Sequence, residues 1–187
     1  MRHFSYLIIV LFIILTGCND SSNNKEKNGT LEESSNNNLN ELSNKEKQQI
    51  ITSYINEDIK KVSDYELEAI ESLGKVSGEN YTDEETFYKE LVNKTIPAHE
   101  KAVSAAKDLK PKLKELNKAN EKMVLAINVF HESLVLEKEA QDKKDDSLRE
   151  KSVEKMEEYY QVVEEYHQEM KKVSDKYNIE YSPLSTK

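Results

Sequence analysis

Residues 155–177 read Lys-Met-Glu-Glu-Tyr-Tyr-Gln-Val-Val-Glu-Glu-Tyr-His-Gln-Glu-Met-Lys-Lys-Val-Ser-Asp-Lys-Tyr. Within this stretch Met156, Tyr159, Val163, Tyr166, Met170, Val173 and Tyr177 recur at spacings of three and four. That is a heptad seam, suited to packing knobs of one helix into holes of another. The remaining positions are mostly charged or amide side chains, so one face seeks a core and the other seeks water. Strands would need an alternating pattern, and none runs here. The seam decides the fold class as all-α, and the rest of the chain agrees with it. Upstream, Ser147-Leu148-Arg149-Glu150 has the spacing of a capping box that opens this helix.

Three further apolar stripes precede it. Ser43-Asn44-Lys45-Glu46 is another capping box, followed by Ile51, Ile55, Ile59, Val62, Ala69, Leu73 and Val76. Gly74 and Gly78 close that helix with a turn. A third box, Thr82-Asp83-Glu84-Glu85, opens a helix through Phe87, Leu91 and Val92, where Pro97 predicts a kink or break near residues 94–96. The stripe resumes from Ala98 to Leu109 and meets Pro111, which reads equally as a reversing turn or as a kink. Leu113, Leu116, Met123, Ile127, Phe130 and Leu134 carry the next segment until the charged run 142–146. Comparable lengths and short connections predict an antiparallel up-down four-helix bundle. The alternative is a three-helix coiled-coil bundle with the middle two segments fused.

Composition narrows the function classes. The chain has 187 residues, a net charge of −9 and one cysteine. An acidic total disfavours nucleic-acid binding, which requires excess Lys and Arg. One cysteine excludes an internal disulfide framework. From Asn19 to Asn44, nine Asn and five Ser dominate 26 positions with little that is apolar. Such a segment cannot bury enough surface to offset its ordering entropy and is expected to be a disordered tether.

The first residues have a different character. Arg2 and His3 precede nine apolar residues, Leu7–Leu15, and then Thr16, Gly17 and Cys18. This is the pattern of a secretory signal. Leu15-Thr16-Gly17-Cys18 resembles the lipobox of bacterial lipoproteins. The resemblance implies cleavage before Cys18 and a covalent diacylglycerol on its sulfur, with no other cofactor. It also implies that residues 1–17 are the signal peptide and 18–43 the lipidated tether, ahead of a bundle over 44–178 and a tail over 179–187. Cleavage would remove one Arg and no acid, leaving the mature chain slightly more acidic. In architecture and Asn/Lys/Glu/Ile-rich composition the chain also resembles small helical lipoproteins of Gram-positive bacteria, some of them described as cell-wall binders. The expected location is the outer face of the cytoplasmic membrane.

No reaction motif is present, so the chain is not expected to be an enzyme. Glu164 and His167 have the Glu-x-x-His spacing of di-metal carboxylate bundles, and His99 and His131 are further metal candidates. The motif would have to recur on a second helix. Asn128 stands three before His131 and Ile96 three before His99, and Glu164 lies about 80° from the seam. Among the tyrosines, Tyr159, Tyr166 and Tyr177 read as core, and Tyr160 as a surface-facing anchor. Glu154, Glu158 and Glu165 belong to an acidic face that is either solvated surface or a contact for a basic partner. The leading expectation is a lipid-anchored binding module for an envelope or protein partner. A metal-binding lipoprotein, a phage or conjugation exclusion lipoprotein and an envelope enzyme are the alternatives, and self-association through the last seam is open.

Overall fold

The computed structural model describes residues 42–183. The stretch expected to be a signal peptide, Cys18 and almost all of the stretch expected to be a tether therefore lie outside the described residues. The described chain is helical and its helices form four rods. The first joins α1 (Asn44–Ser53), a π-helical stretch (Tyr54–Ile59) and α2 (Lys60–Gly74) without a break, since the joining residues keep right-handed helical dihedrals. The second joins α3 (Glu84–Glu90), a π-helical stretch (Leu91–Thr95) and α4 (Ile96–Lys107). The third and fourth are α5 (Asn117–Lys143) and α6 (Asp146–Lys176).

Named contacts fix the directions of neighbouring rods. Ser72 meets Thr95 while Glu68 meets Lys101, so the first and second rods run antiparallel. His99 stacks on His131, and Tyr88 bonds Asp142, so the second and third are antiparallel too. Ser133 meets Ser152 and Lys122 meets Glu165, which makes α5 and α6 antiparallel. Pro111 therefore stands in a reversing connection, because α4 ends at Lys107 and α5 starts at Asn117. Fusion of these two segments into one helix, the three-helix alternative, is excluded by that break. A short 3-10 turn, Lys114–Leu116, leads into α5.

The stripes read from sequence fill the interior. Ile51, Ile55, Ile59, Leu91, Leu116, Met123, Ile127, Tyr166 and Met170 are fully or almost fully buried. Burying one such side chain contributes about 1.5–3 kcal/mol. In the α6 seam Tyr159, Val163, Tyr166, Met170, Val173 and Tyr177 are buried, while Met156 is only partly so.

Two of the three predicted capping boxes shift. Ser43 caps α1 reciprocally with Glu46, as the spacing predicts. The cap of α3, however, is Asp83, whose carboxylate accepts from the Thr86 backbone N–H at 2.8 Å. The cap of α6 is Asp145, which accepts from the Ser147 N–H at 2.9 Å. In both cases a carboxylate near a hydroxyl wins the position, since it also meets the positive end of the helix dipole. Pro97 breaks nothing. It sits in the first turn of α4 just after the π-helical stretch, whose wider turns leave room for the ring and do not use its missing donor. Gly74 ends α2, and Gly78 takes φ +59° to complete the turn.

Candidate functional site

The interior is not wholly apolar. Glu66 lies on the apolar stripe of α2, four residues after Val62 and three before Ala69, and is 2% exposed. Its carboxylate accepts a hydrogen bond from the Tyr159 hydroxyl at 2.8 Å. Burial disfavours the charged form and pushes Glu66 up to about 7, against a smaller lowering by that hydrogen bond. Tyr159 stacks on Phe130 with ring centroids 4.9 Å apart. His99 meets the edge of Phe130 at 4.5 Å and stacks on His131 at 5.7 Å. An aromatic row thus crosses from the second rod through α5 to α6.

His99 is fully buried, and neither ring nitrogen has a hydrogen-bond partner among the described residues. Burial, helped by the neighbouring His131, lowers it to about 3, so the ring is neutral. His131 also keeps its Nδ1 buried with no partner among the described residues. The two histidines face each other ring to ring, a stacked arrangement in which their in-plane lone pairs do not converge. His167 takes a separate role: its Nδ1 meets the Tyr181 hydroxyl at 2.6 Å, and burial lowers it to about 4 against the pull of Glu164. Among the described residues, no group of three or more His, Cys, Asp or Glu side chains is arranged to hold a metal ion. The metal candidates named from sequence thus divide into a His99–His131 stack and a His167–Tyr181 pair, with Glu164 exposed and bonded by Gln168.

Other buried polar groups bond across helices. Ser133 and Ser152 each donate to the other's backbone carbonyl at 2.9 Å. Thr95 and Ser72 hydroxyls lie 2.9 Å apart, and Ser72 donates on to Glu90. These pairs register the helices against sliding.

On the outer faces, Glu154 is exposed, Glu158 pairs with Lys155 at 2.9 Å, and Glu165 pairs with Lys122 across to α5. The acidic face is thereby partly neutralised by its own fold. Tyr160 is half-buried with its ring 5.4 Å from Tyr159, at the edge of the core rather than fully outward. A shallow, open depression lies along the first rod between Lys45 and Glu57, lined with Gln48, Gln49, Thr52 and Asn56. Sequence reasoning missed Glu66, although its place in the Val62–Ala69 stripe is the signal that would have found it. It also missed the Ser133–Ser152 pair, which depends on contact between two helices.

No protein family, curated protein or solved structure matches this chain. Among the described residues, no helix is long and apolar enough to cross a membrane.

Proposed function

We propose that this chain is a lipid-anchored helical binding module of the cell surface. A diacylglycerol on Cys18 holds it at the outer face of the cytoplasmic membrane, and its outer helix faces engage a protein or envelope partner. The observation that carries the reading is how the interior is used. Most of its fully buried polar residues are paired within the fold, as Glu66 with Tyr159, Ser72 with Thr95, and Ser133 with Ser152, while the unpartnered His99 nitrogens are sealed from the surface. What the body offers to others is therefore its exterior, including the polar depression on the first rod and the acidic face of α6. The lipobox Leu15–Cys18 supports the location, because two acyl chains suffice for stable anchoring where one would be marginal.

The test joins anchoring to capture. Metabolic labelling with a palmitate analogue should mark the wild-type chain, and Cys18→Ala should abolish the label and release the protein into the medium. Surface cross-linking in native cells should then recover a partner. Reversing charge at Glu154, Glu158 and Glu165 together should cut that capture by about tenfold if the acidic face makes the contact. Unlabelled wild-type protein would overturn the anchor, and unchanged capture would remove the acidic face from the interface.

A further inference from the structure

The lysines of this acidic chain are not spread evenly. Between Lys107 and Lys118 the sequence holds five lysines and only two acids. This is the connection that carries Pro111. Leu113 and Leu116 turn into the core and Leu109 packs against it, so the intervening Lys110, Lys112 and Lys114 stand on the exposed side. None of these three makes an ion pair among the described residues. The acids close by are engaged or few. Glu115 accepts from the Tyr177 hydroxyl at 2.6 Å and from Lys176, and Glu46 is held by Ser43. Asp175 is paired with Lys171 and Glu169 with Lys172, which leaves Asp108, Glu121 and Glu180.

The fold places this loop where the preceding chain joins the body. The Gln48 side chain donates to the Tyr177 carbonyl at 2.6 Å, and Tyr177 in turn holds Glu115. Tyr54 donates to Asn120 at 3.0 Å. The start of α1, the end of α6 and the lysine loop therefore share one end of the molecule. The opposite end is more acidic: the connection from Gly78 to Glu85 has four carboxylates and no Lys or Arg, and the one over 142–146 sets three Asp against Lys143 and Lys144.

We infer that Lys110, Lys112 and Lys114 form a docking surface for the anionic headgroups of the lipid bilayer, laying the lysine end of the body against the membrane. The inference rests on the anchored reading, since that reading makes the bilayer the surface nearest to the end where the chain from Cys18 joins α1. Charge complementarity supplies the attraction, worth about fivefold in affinity per lysine close to an anionic surface. It acts only within a Debye length of about 8 Å at physiological salt, so the loop must lie at the surface to count.

The full-length chain is bound to vesicles containing phosphatidylglycerol and, separately, to phosphatidylcholine vesicles, and lysine modification by an amine reagent is read by mass spectrometry. On the anionic vesicles Lys110, Lys112 and Lys114 should react about fivefold or more slowly, and about 1 M salt should abolish the difference. Lys143 and Lys144, at the far end, should react alike on both. Equal reaction of the loop lysines on the two lipids overturns the inference. Protection by soluble polyphosphate without protection by vesicles also overturns it, assigning the surface to an anionic polymer. Cys18→Ala, which cannot be lipidated, separates the two readings. At high vesicle concentration its loop lysines should still be selectively protected, whereas an unlipidated wild-type Cys18 would sink the anchor alone.

Discussion

Glu66 and His99 pull the stability of the fold in opposite directions with pH, because burial favours the neutral form of each. Glu66 is raised from 4.5 to about 7, so the folded state holds its proton where the unfolded chain has lost it. Its contribution is fully present below pH 4.5 and declines as pH rises toward 7, by about 3 kcal/mol. His99 is lowered from 6.5 to about 3, so its contribution is present above pH 6.5 and is lost as pH falls toward 3. Glu66→Gln keeps an acceptor for Tyr159 and removes the ionisation. Urea unfolding should therefore show a gain of about 2–3 kcal/mol at pH 8 and little change at pH 4.5. A variant that lost stability at pH 8 would show that the charged carboxylate is accommodated after all. His99→Leu removes two orphaned nitrogens and should flatten the decline between pH 6.5 and pH 4. A persisting decline of the same depth would place its origin in His167, whose partly buried ring is likewise lowered, to about 4. Neither residue announces itself by type. Glu66 is legible only through its place in the Val62–Ala69 stripe, and the isolation of His99 only through three-dimensional packing.

At the scale of helices, periodicity was the readable quantity and termini were not. The α6 seam was visible in sequence because six of its seven positions do one job, burial in the core. The caps were misplaced by one or two residues because Thr82 and Ser147 stand beside Asp83 and Asp145, all able to cap. Only the backbone dihedrals, extended at Asp83 and Asp145, show which residue lies outside the helix. The π-helical stretches leave no such mark in a pattern of three and four. The end of α5 yields a test of backbone reasoning. Lys144 adopts φ 51° and ψ 46°, closing the helix with the Asp145 N–H bonded to the Ala140 carbonyl at 2.9 Å. That left-handed position is the one where glycine carries no Cβ penalty. Lys144→Gly should stabilise the protein by about 0.5–1 kcal/mol in thermal or urea unfolding. Asn178, with φ 52°, is already a residue that tolerates this region, so Asn178→Gly should change stability less. Equal effects at both positions would refute the argument from side-chain type.

For the whole molecule, the four stripes and Pro111 were all present in the sequence, but the meaning of Pro111 required knowing which helices touch. Once it is a reversal, Lys110–Lys114 moves to the end where α1 begins, and the charge arrangement of the body becomes readable. The same assembly decides what the α6 seam is free to do. Tyr159, Tyr166, Met170 and Tyr177 lie at 4% exposure or less within their own chain, facing α5 and the first rod. A seam buried at six of its seven positions leaves only part of Met156 to a second copy, and paired helices would have to expose the core to recruit the rest. The chain from residue 18 onward with Cys18→Ala should therefore sediment as a monomer at tens of micromolar. Exposing the seam would forfeit about 1.5–3 kcal/mol per side chain. A dimer whose formation slows amide exchange along residues 156–177 would contradict this and reopen pairing through the seam. A dimer with unchanged exchange there would instead locate the contact on an outer face, such as the depression between Lys45 and Glu57.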